Sequence, residues 1–121
     1  MERTFDNLRK TLKGKIYLYL KDAETERQFI EDAQAEGYRF GSISPADSLA
    51  DNIISLCEDK QLSHVGAIGR IAFQCNGGSG ARGRFHRIDY AIFRRGDNNY
   101  YYVPDDPFAK IKTQNPHITG M

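Results

Sequence analysis

The sequence has few cysteines and no long apolar run, and each absence excludes a class of protein. Its two cysteines, Cys57 and Cys75, have no metal-ligand spacing, and a reducing compartment argues against a disulfide between them. We expect both to be buried thiols. No apolar run approaches the roughly 20 residues that span a bilayer. The sequence therefore excludes a membrane protein, and we expect no membrane partner.

A secretory signal is also missing. Residues 1–13 are charged throughout and have neither an apolar core nor a small-residue cleavage site. We therefore expect a cytoplasmic protein. The 121 residues fit one compact domain and are too few for two separate cores. We predict a single domain over residues 1–104 and an extended arm over residues 105–121, which packs on its own domain or on a neighbouring subunit.

The net charge of +1 is small, but the charges are unevenly distributed. Residues 21–59 contain ten acidic and three basic residues, a net charge of −7, whereas residues 60–95 contain seven basic residues and one acidic residue, a net charge of +6. This division suggests an anion-binding face in the later segment, although the two segments could instead neutralise each other within the fold or across a subunit contact. Because the total is near zero, we expect neither a nucleic-acid mimic nor a non-specific DNA-binding protein.

Hydrophobic periodicity predicts both helices and strands in the first 40 residues. Apolar residues recur at helical spacing in residues 5–13, which predicts a short N-terminal helix. Residues 15–20 alternate between aliphatic side chains on one face and tyrosines on the other, which is typical of a strand. Asp22 can cap a second helix, which ends at Gly37.

The later elements complete a sheet. Residues 38–40 predict a short strand, which we place beside the first strand with Tyr38 and Phe40 on the same side. The other predicted strands are residues 52–57 and 61–65, which form an antiparallel hairpin, and residues 87–90 and 100–103. Residues 67–73 predict a short buried helix with Ile68, Ile71 and Ala72 inward, although periodicity alone also allows a strand. The glycine-rich residues 76–84 predict an exposed, mobile loop. The predicted fold class is therefore α+β, an antiparallel β-sheet with two or three helices packed on it.

Residues 78–83 match the letters of the dinucleotide-binding fingerprint G-x-G-x-x-G. That fingerprint requires a preceding strand, a helix that opens inside it and an acidic residue about 20 positions later. Here a predicted strand follows instead, in a chain too short for a Rossmann domain, so a flexible linker explains the glycines better. The backbone N–H groups beside Arg82 and Arg84 could still fold over a phosphate.

The segment from His64 to Arg70 predicts an anion site. A strand turns there through Gly66 and Gly69 into a helix, and the free N–H groups at a helix start attract anions. Arg70 would add a charge-assisted contact from the first turn. Alternatively, both glycines permit tight packing against the sheet and Arg70 is a solvated surface residue.

Residues 84–90 predict a strand that contacts a nucleotide. Phe85 and Arg87 share one face of an extended strand. An aromatic ring stacks on a base with roughly 1–3 kcal/mol, and a guanidinium group binds phosphate. Alternatively, Arg87 pairs with Asp89 on the surface and Phe85 lies in the core.

Catalysis has less support than binding. The three histidines have no metal-ligand spacing, and none has an evident serine or cysteine nucleophile as its partner. We therefore expect no enzymatic activity, no metal and no cofactor.

Four motifs resemble a family of small phage proteins. They are residues 14–20 (GKIYLYL), 37–41 (GYRFG), 64–73 (HVGAIGRIAF) and 87–90 (RIDY). The resemblance spans residues 14–93. The family is the Thoeris anti-defence sponge family, which is encoded by phages and prophages of clostridia-like bacteria.

The resemblance implies a non-catalytic protein of the host bacterial cytoplasm. Such a protein binds cyclic ADP-ribose isomers made by TIR enzymes and withholds this signal from its effector. Family members are oligomers, can also hold cyclic oligonucleotides, and surround the ligand with arginines, an aromatic ring and an amide. The residues that match by chemistry are Arg27, Arg70, Phe85, Arg87 and Asn98. Together with neighbouring candidates, the predicted ligand-binding set is Arg27, His64, Gly66, Gly69, Arg70, Phe85, Arg87, Tyr90 and Asn98.

The leading hypothesis is a nucleotide sponge that works as a dimer or a higher closed oligomer. Two other functions stay open. The acidic helix of residues 22–36 could dock on a basic host protein, as an inhibitor of an immune complex such as an anti-CRISPR protein would. Alternatively, residues 70–95 could form a small nucleic-acid-binding module.

Overall fold

The computed structural model describes residues 3–49, 51–75 and 85–102, which contain five helical segments and four strands. The helices are α1 (Phe5–Thr11), α2 (Ala23–Glu36), α3 (Pro45–Ser48), α4 (Gly66–Cys75) and α5 (Tyr90–Arg94). The strands are β1 (Lys15–Tyr19), β2 (Ile53–Leu56), β3 (Leu62–His64) and β4 (Phe85–Asp89). None of these described helices is long and apolar enough to cross a membrane.

The strands form one mixed sheet in the order β3-β2-β1-β4. β2 is antiparallel to both β1 and β3, whereas β4 lies parallel to β1 on its other side. The chain passes from β3 to β4 by way of α4, and a crossover connection of this kind permits parallel pairing. The predicted single-domain α+β fold is confirmed, with a sheet that is mostly rather than wholly antiparallel.

Both predicted helices form: α2 begins and ends where the sequence predicts, whereas α1 ends at Thr11, two residues before the predicted end. The Thr4 hydroxyl accepts the backbone N–H of Asn7 at 3.1 Å and caps α1. The Asp22 carboxylate accepts the backbone N–H of Thr25 at 2.8 Å and caps α2. Gly37 ends α2 with a φ of 82°, a left-handed conformation that costs glycine no steric penalty.

The aliphatic face of the sheet forms the core together with α1, α2 and α5. Leu18 lies between Ile54 and Ile88 in the register of the central strands, and all three side chains are fully buried. Phe5 of α1 packs over this layer at the centre of an aromatic cluster. Its ring partners, with the separations of the ring centroids, are Phe29 at 5.5 Å, Tyr38 at 5.2 Å and Tyr90 at 5.4 Å.

The opposite face of the sheet is covered at one end. The two-residue period places Tyr17, Ser55 and Arg87 on this face, level with one another in adjacent strands. α4 packs over one end of the face through Phe73, which is fully buried. The other end, which comprises Tyr17, Ser55 and Ser63, borders a groove, and we call it the open face.

Residues 38–40 do not form the predicted strand beside β1, because β2 and β4 occupy both edges of β1. Instead, Arg39 forms an isolated parallel bridge with Gln61, next to the start of β3. The predicted orientation of the side chains is confirmed, since Tyr38 and Phe40 are both buried.

Two side chains lie differently from their predicted positions. Ile71 is 62% exposed rather than inward. Phe73 is the residue of α4 that packs on the sheet, and a helical residue two positions away points in another direction. Cys57 is half-buried rather than buried. The following predictions lie outside the described residues: the side chains of Ile68, Ala72 and Cys75, the loop over residues 76–84 and the arm over residues 105–121.

The predicted strand over residues 100–103 is present only as an isolated antiparallel bridge between Tyr101 and Ile88 of β4. Tyr100 is nearly buried and packs on Phe93 with a centroid separation of 5.3 Å. Tyr102 packs on α4, and Tyr101 is partly exposed. Tyr101 also packs on Tyr100, and its hydroxyl lies 2.9 Å from Nδ1 of His86, so all three rings make contacts within the chain.

The stability of the fold is expected to fall as the pH rises above about 10, because two core tyrosines resist ionisation in the folded state. Tyr38 and Tyr90 are 2% and 1% exposed, and their hydroxyls donate to Asp6 at 2.5 Å and Asp32 at 2.6 Å. Burial raises the pKa of both phenols, and the two carboxylates raise it further. The folded state therefore keeps protons that the unfolded chain loses above the ordinary tyrosine pKa of about 10.

Urea unfolding of the wild type and of Tyr90→Phe across this alkaline range tests the expectation. The free energy of unfolding of the wild type should decline with rising pH more steeply than that of the variant. Equal slopes for the two proteins would contradict the role of Tyr90.

Candidate ligand groove

Four residues of adjacent strands lie in one row across the second face of the sheet. In strand order they are Ser63, Ser55, Tyr17 and Arg87, and each is paired in register with the next. Side chains in such a row point to the same side of the sheet and lie close to one another. α4 packs against the Arg87 end of the row, so the other three side chains are left to form the open face.

A groove of about 500 Å³ runs along the open face and is accessible to solvent. Its volume lies within the range of roughly 300–1,000 Å³ that is typical of small-molecule sites. Its lining residues are Arg9, Gly14, Lys15, Tyr17, Ser55, Leu56, Cys57, Glu58, Ser63, His64 and Val65. The groove therefore combines cations, one aromatic ring, hydroxyl groups and a single carboxylate among its described lining residues.

Tyr17 supplies the aromatic surface of the groove. The edge of its ring contacts Phe85 on the neighbouring strand, with a centroid separation of 4.8 Å and an interplanar angle of 77°. Phe85 is only 8% exposed, so it supports the Tyr17 ring and has little surface left for a ligand. The predicted aromatic contact is thus placed beside the groove, and Tyr17 is the ring that lines it.

Two serine hydroxyls face the groove on neighbouring strands. Ser55 and Ser63 are directly opposite each other in the β2–β3 register. Their oxygens lie 3.8 Å and 3.6 Å from the sulfur of Cys57, which is a weak hydrogen-bonding partner. These hydroxyl groups are therefore available to a stronger donor or acceptor.

Unpaired positive charge gathers at one rim of the groove, where α1 ends and β1 begins. Arg9 donates to the backbone oxygens of Leu56, at 2.8 Å, and of Gly14, and so ties the end of α1 to the sheet. Lys13 and Lys15 are exposed and form no ion pair with the described carboxylates. An anion at this rim would meet charges that the fold has not already neutralised.

The later basic segment, in contrast, is partly paired with the acidic one through Arg70 and Arg94, whereas Lys60 pairs with Asp6 outside that segment. Arg70 pairs with Asp51 at 2.5 Å, and the other pairs are Lys60 with Asp6 at 2.8 Å and Arg94 with Asp32 at 2.7 Å. The charge asymmetry suggests either an anion-binding face or mutual neutralisation of the two segments. Mutual neutralisation within the fold accounts for Arg70 and Arg94. Arg70, a predicted site residue, is therefore engaged and does not line the groove.

Arg27, the other predicted helical arginine, lies on the exposed surface of α2. It pairs with Glu24 three residues before it and with Glu31 four residues after it, the latter at 2.6 Å. Such pairs between exposed side chains on one helix are common and contribute little to stability. Arg27 does not line the groove.

Arg87 lies in the same row as the three residues of the open face, but α4 covers its side chain. Its guanidinium group lies 5.6 Å from the ring centroid of Phe73 and 5.4 Å from that of Tyr102, and it donates to the Phe73 carbonyl oxygen at 2.7 Å. Burial lowers the pKa of this guanidinium group. Arg87 therefore fastens α4 to the sheet, which is a structural role in place of the predicted phosphate contact.

The remaining predicted residues are dispersed. His64 is among the residues that line the groove, but its ring lies on the other face of the sheet, where it stacks on Phe40 at 4.7 Å and its Nε2 lies 2.9 Å from the Ser48 carbonyl oxygen. Tyr90 is buried in the core, and Asn98 accepts a hydrogen bond from Arg3 at 2.7 Å. Gly66 and Gly69 lie in α4, away from the groove lining. Within the described part of the chain, His64 is the only predicted site residue that lines the groove.

Sequence reasoning missed Lys15, Tyr17, Ser55 and Ser63. A signal for Tyr17 was present, because the alternation of residues 15–20 already assigns it to the face opposite the aliphatic side chains. The hairpin prediction also paired the segments that contain the two serines. What the sequence did not show is that β2 lies beside β1, which brings all of them into one row.

Among the described residues, no group of three or more histidine, cysteine, aspartate or glutamate side chains could hold a metal ion. No family model, curated protein or solved structure matches the chain. The resemblance to the sponge family therefore stays a prediction, and the functional argument depends on the chemistry of the groove.

Proposed function

We propose that this protein binds and sequesters a phosphorylated nucleotide without transforming it. The observation that carries this proposal is the groove, in which one aromatic ring, two uncommitted hydroxyls and unpaired cations line the same open face. In the form implied by the sponge resemblance, the protein is a phage or prophage anti-defence protein and its ligand is a cyclic ADP-ribose isomer.

The cationic rim suits phosphate groups. Lys15 and Arg9 both line the groove, and Lys15 has no carboxylate partner among the described residues. Two opposite unit charges 4 Å apart attract each other by about 1 kcal/mol in water and about 4 kcal/mol near a protein surface. A pyrophosphate that reached this rim would therefore gain several kcal/mol before desolvation.

The ring of Tyr17 suits a base. It is fixed edge-on by Phe85, so it presents a surface whose orientation is already set. Stacking of a base on an aromatic side chain contributes roughly 1–3 kcal/mol. Preorganisation of the ring lowers the entropic cost of binding. Phosphate and base would thus be held by neighbouring parts of β1.

Sequestration also demands high affinity. A sponge outcompetes a receptor only if its Kd is at or below ~10 nM, which corresponds to about −11 kcal/mol. The groove of one protomer is open to solvent, so a second protomer that closes it would supply further contacts. We therefore include a homo-oligomer, a dimer or a larger closed assembly, in the proposal.

Reversing the charge of Lys15 tests the phosphate rim. Lys15→Glu is expected to weaken the binding of cyclic ADP-ribose by roughly 10- to 100-fold, because it replaces an attraction by a repulsion. Isothermal titration calorimetry with cyclic ADP-ribose measures the effect. The matched control is Lys21→Glu, which makes the same change at an exposed lysine just beyond the other end of β1, outside the groove lining. Equal affinities for the two variants would place the phosphate elsewhere.

Native mass spectrometry tests sequestration itself. The protein, incubated with cyclic ADP-ribose isomers and then denatured, should release each ligand with its mass unchanged. The same spectra report the number of subunits and of bound ligands. A cleaved product would identify an enzyme, and the absence of any complex at micromolar concentration would refute the proposal.

A further inference from the structure

Ser55 and Ser63 form a second feature of the groove, distinct from its ring and its cations. Both are uncharged, and they lie side by side on β2 and β3, directly opposite each other. Cβ atoms of such directly opposed residues are about 4.5–5.5 Å apart. Two hydroxyl groups at this spacing can contact two adjacent polar atoms of one ligand.

The two hydroxyls are held only weakly by the protein. Within the described residues, their hydrogen-bond partner is the Cys57 sulfur, at 3.8 Å from Ser55 and 3.6 Å from Ser63. Sulfur is a weak donor and a weak acceptor. A ligand hydroxyl in the same place would form a normal O–H···O bond of about 2.7–2.8 Å. A ligand therefore does not have to displace a strong protein partner to bind these hydroxyls.

The position of the pair relative to Tyr17 identifies which ligand group it meets. Ser55 is the direct neighbour of Tyr17 in the row, one strand spacing of about 4.8 Å away, and Ser63 is one strand further. A base stacked on Tyr17 would carry its sugar across β2 toward β3. The cations Lys15 and Arg9 lie where β1 begins and β2 ends, Arg9 donating to the Leu56 carbonyl oxygen at 2.8 Å, and they would contact the phosphates.

We infer that Ser55 and Ser63 bind the 2′- and 3′-hydroxyls of a ribose and make the site selective for ribonucleotides over deoxyribonucleotides. A hydroxyl both donates and accepts, so a serine pair matches a cis-diol, whose two oxygens also do both. This inference rests on the proposed function, because it assigns the sugar of the same nucleotide whose base contacts Tyr17.

The test compares three probes by isothermal titration calorimetry on the full chain. They are cyclic ADP-ribose closed through the base, which keeps both hydroxyls of the adenosine ribose, and its 2′-deoxy and 3′-deoxy adenosine analogues. The wild type should bind the parent compound roughly 5- to 10-fold more tightly than the weaker analogue, the effect of one lost hydrogen bond. The selectivity should shrink to within about twofold in Ser55→Ala/Ser63→Ala.

The matched control is Ser42→Ala, which removes an exposed serine hydroxyl outside the groove lining and should keep the wild-type selectivity. Equal binding of all three probes by the wild type would overturn the inference. This measurement uses no variant, so it is valid even if the double substitution impairs folding. Selectivity that survives in a folded double variant would overturn it as well. If all three probes bind with the same affinity, and Lys15→Glu weakens that binding, the proposed function survives and this inference fails. If no probe binds, both are wrong.

Discussion

Replacing Phe5 with alanine is expected to lower the free energy of unfolding by about 3–5 kcal/mol, the range for removal of a buried phenylalanine ring. Phe5 is fully buried and contacts one ring from α2, one from α5 and Tyr38. Its backbone N–H also donates to the carboxylate of Glu36 at the end of α2, at 3.0 Å. The substitution leaves this backbone bond in place, so its cost comes from the cavity and the lost ring contacts.

Urea unfolding followed by circular dichroism measures this cost. Ile71→Ala is the control, because it truncates a large apolar side chain that is 62% exposed, and it should change the stability by less than about 0.5 kcal/mol. A similar loss in both variants would contradict the assignment of Phe5 to the centre of the core and of Ile71 to the surface.

Arg87→Ala is expected to destabilise the fold by about 2–4 kcal/mol, since it removes two cation–π contacts and a charge-assisted hydrogen bond together. The guanidinium group lies against Phe73 and Tyr102 and donates to the Phe73 carbonyl. Without it, α4 loses its polar attachment to β4. Arg87→Met keeps the aliphatic part of the side chain and should lose less stability than Arg87→Ala.

Stability and ligand binding must both be measured for these variants. A structural Arg87 predicts a lower urea midpoint and, under conditions where the protein is folded, little change in nucleotide affinity. If Arg87 instead contacts phosphate, as the sequence alone suggests, Arg87→Ala would weaken binding and leave the midpoint unchanged. The two roles therefore give opposite results in the same pair of measurements.

Local signals predicted the elements whose cause is local. Asp22 and Gly37 mark the ends of α2 because capping acts over a few residues. The β2–β3 hairpin was also predictable, since its turn joins adjacent segments. Residues 38–40 show what local signals cannot predict. Their alternation correctly orients Tyr38 and Phe40, but their place in the fold depends on which strands have already filled the edges of β1.

The candidate site was harder to predict, because the availability of a charge depends on distant partners. Arg70 is neutralised by Asp51 and Arg94 by Asp32, which is 62 residues away in the chain. Summing charges along a segment cannot reveal such pairs. Lys15 lies outside both segments whose charges are summed above, yet it is one of the cations that the described carboxylates leave unpaired.

Neighbouring positions on the strands serve separate purposes in this protein. Tyr17 and Ser55 border the groove, whereas Leu18 and Ile54, each one position later, belong to the core. Substitutions at Tyr17 and Ser55 can therefore change the lining of the groove without removing a buried aliphatic side chain. In evolution or in protein engineering, the affinity of the proposed site for its ligand could therefore change while the free energy of unfolding stays nearly constant.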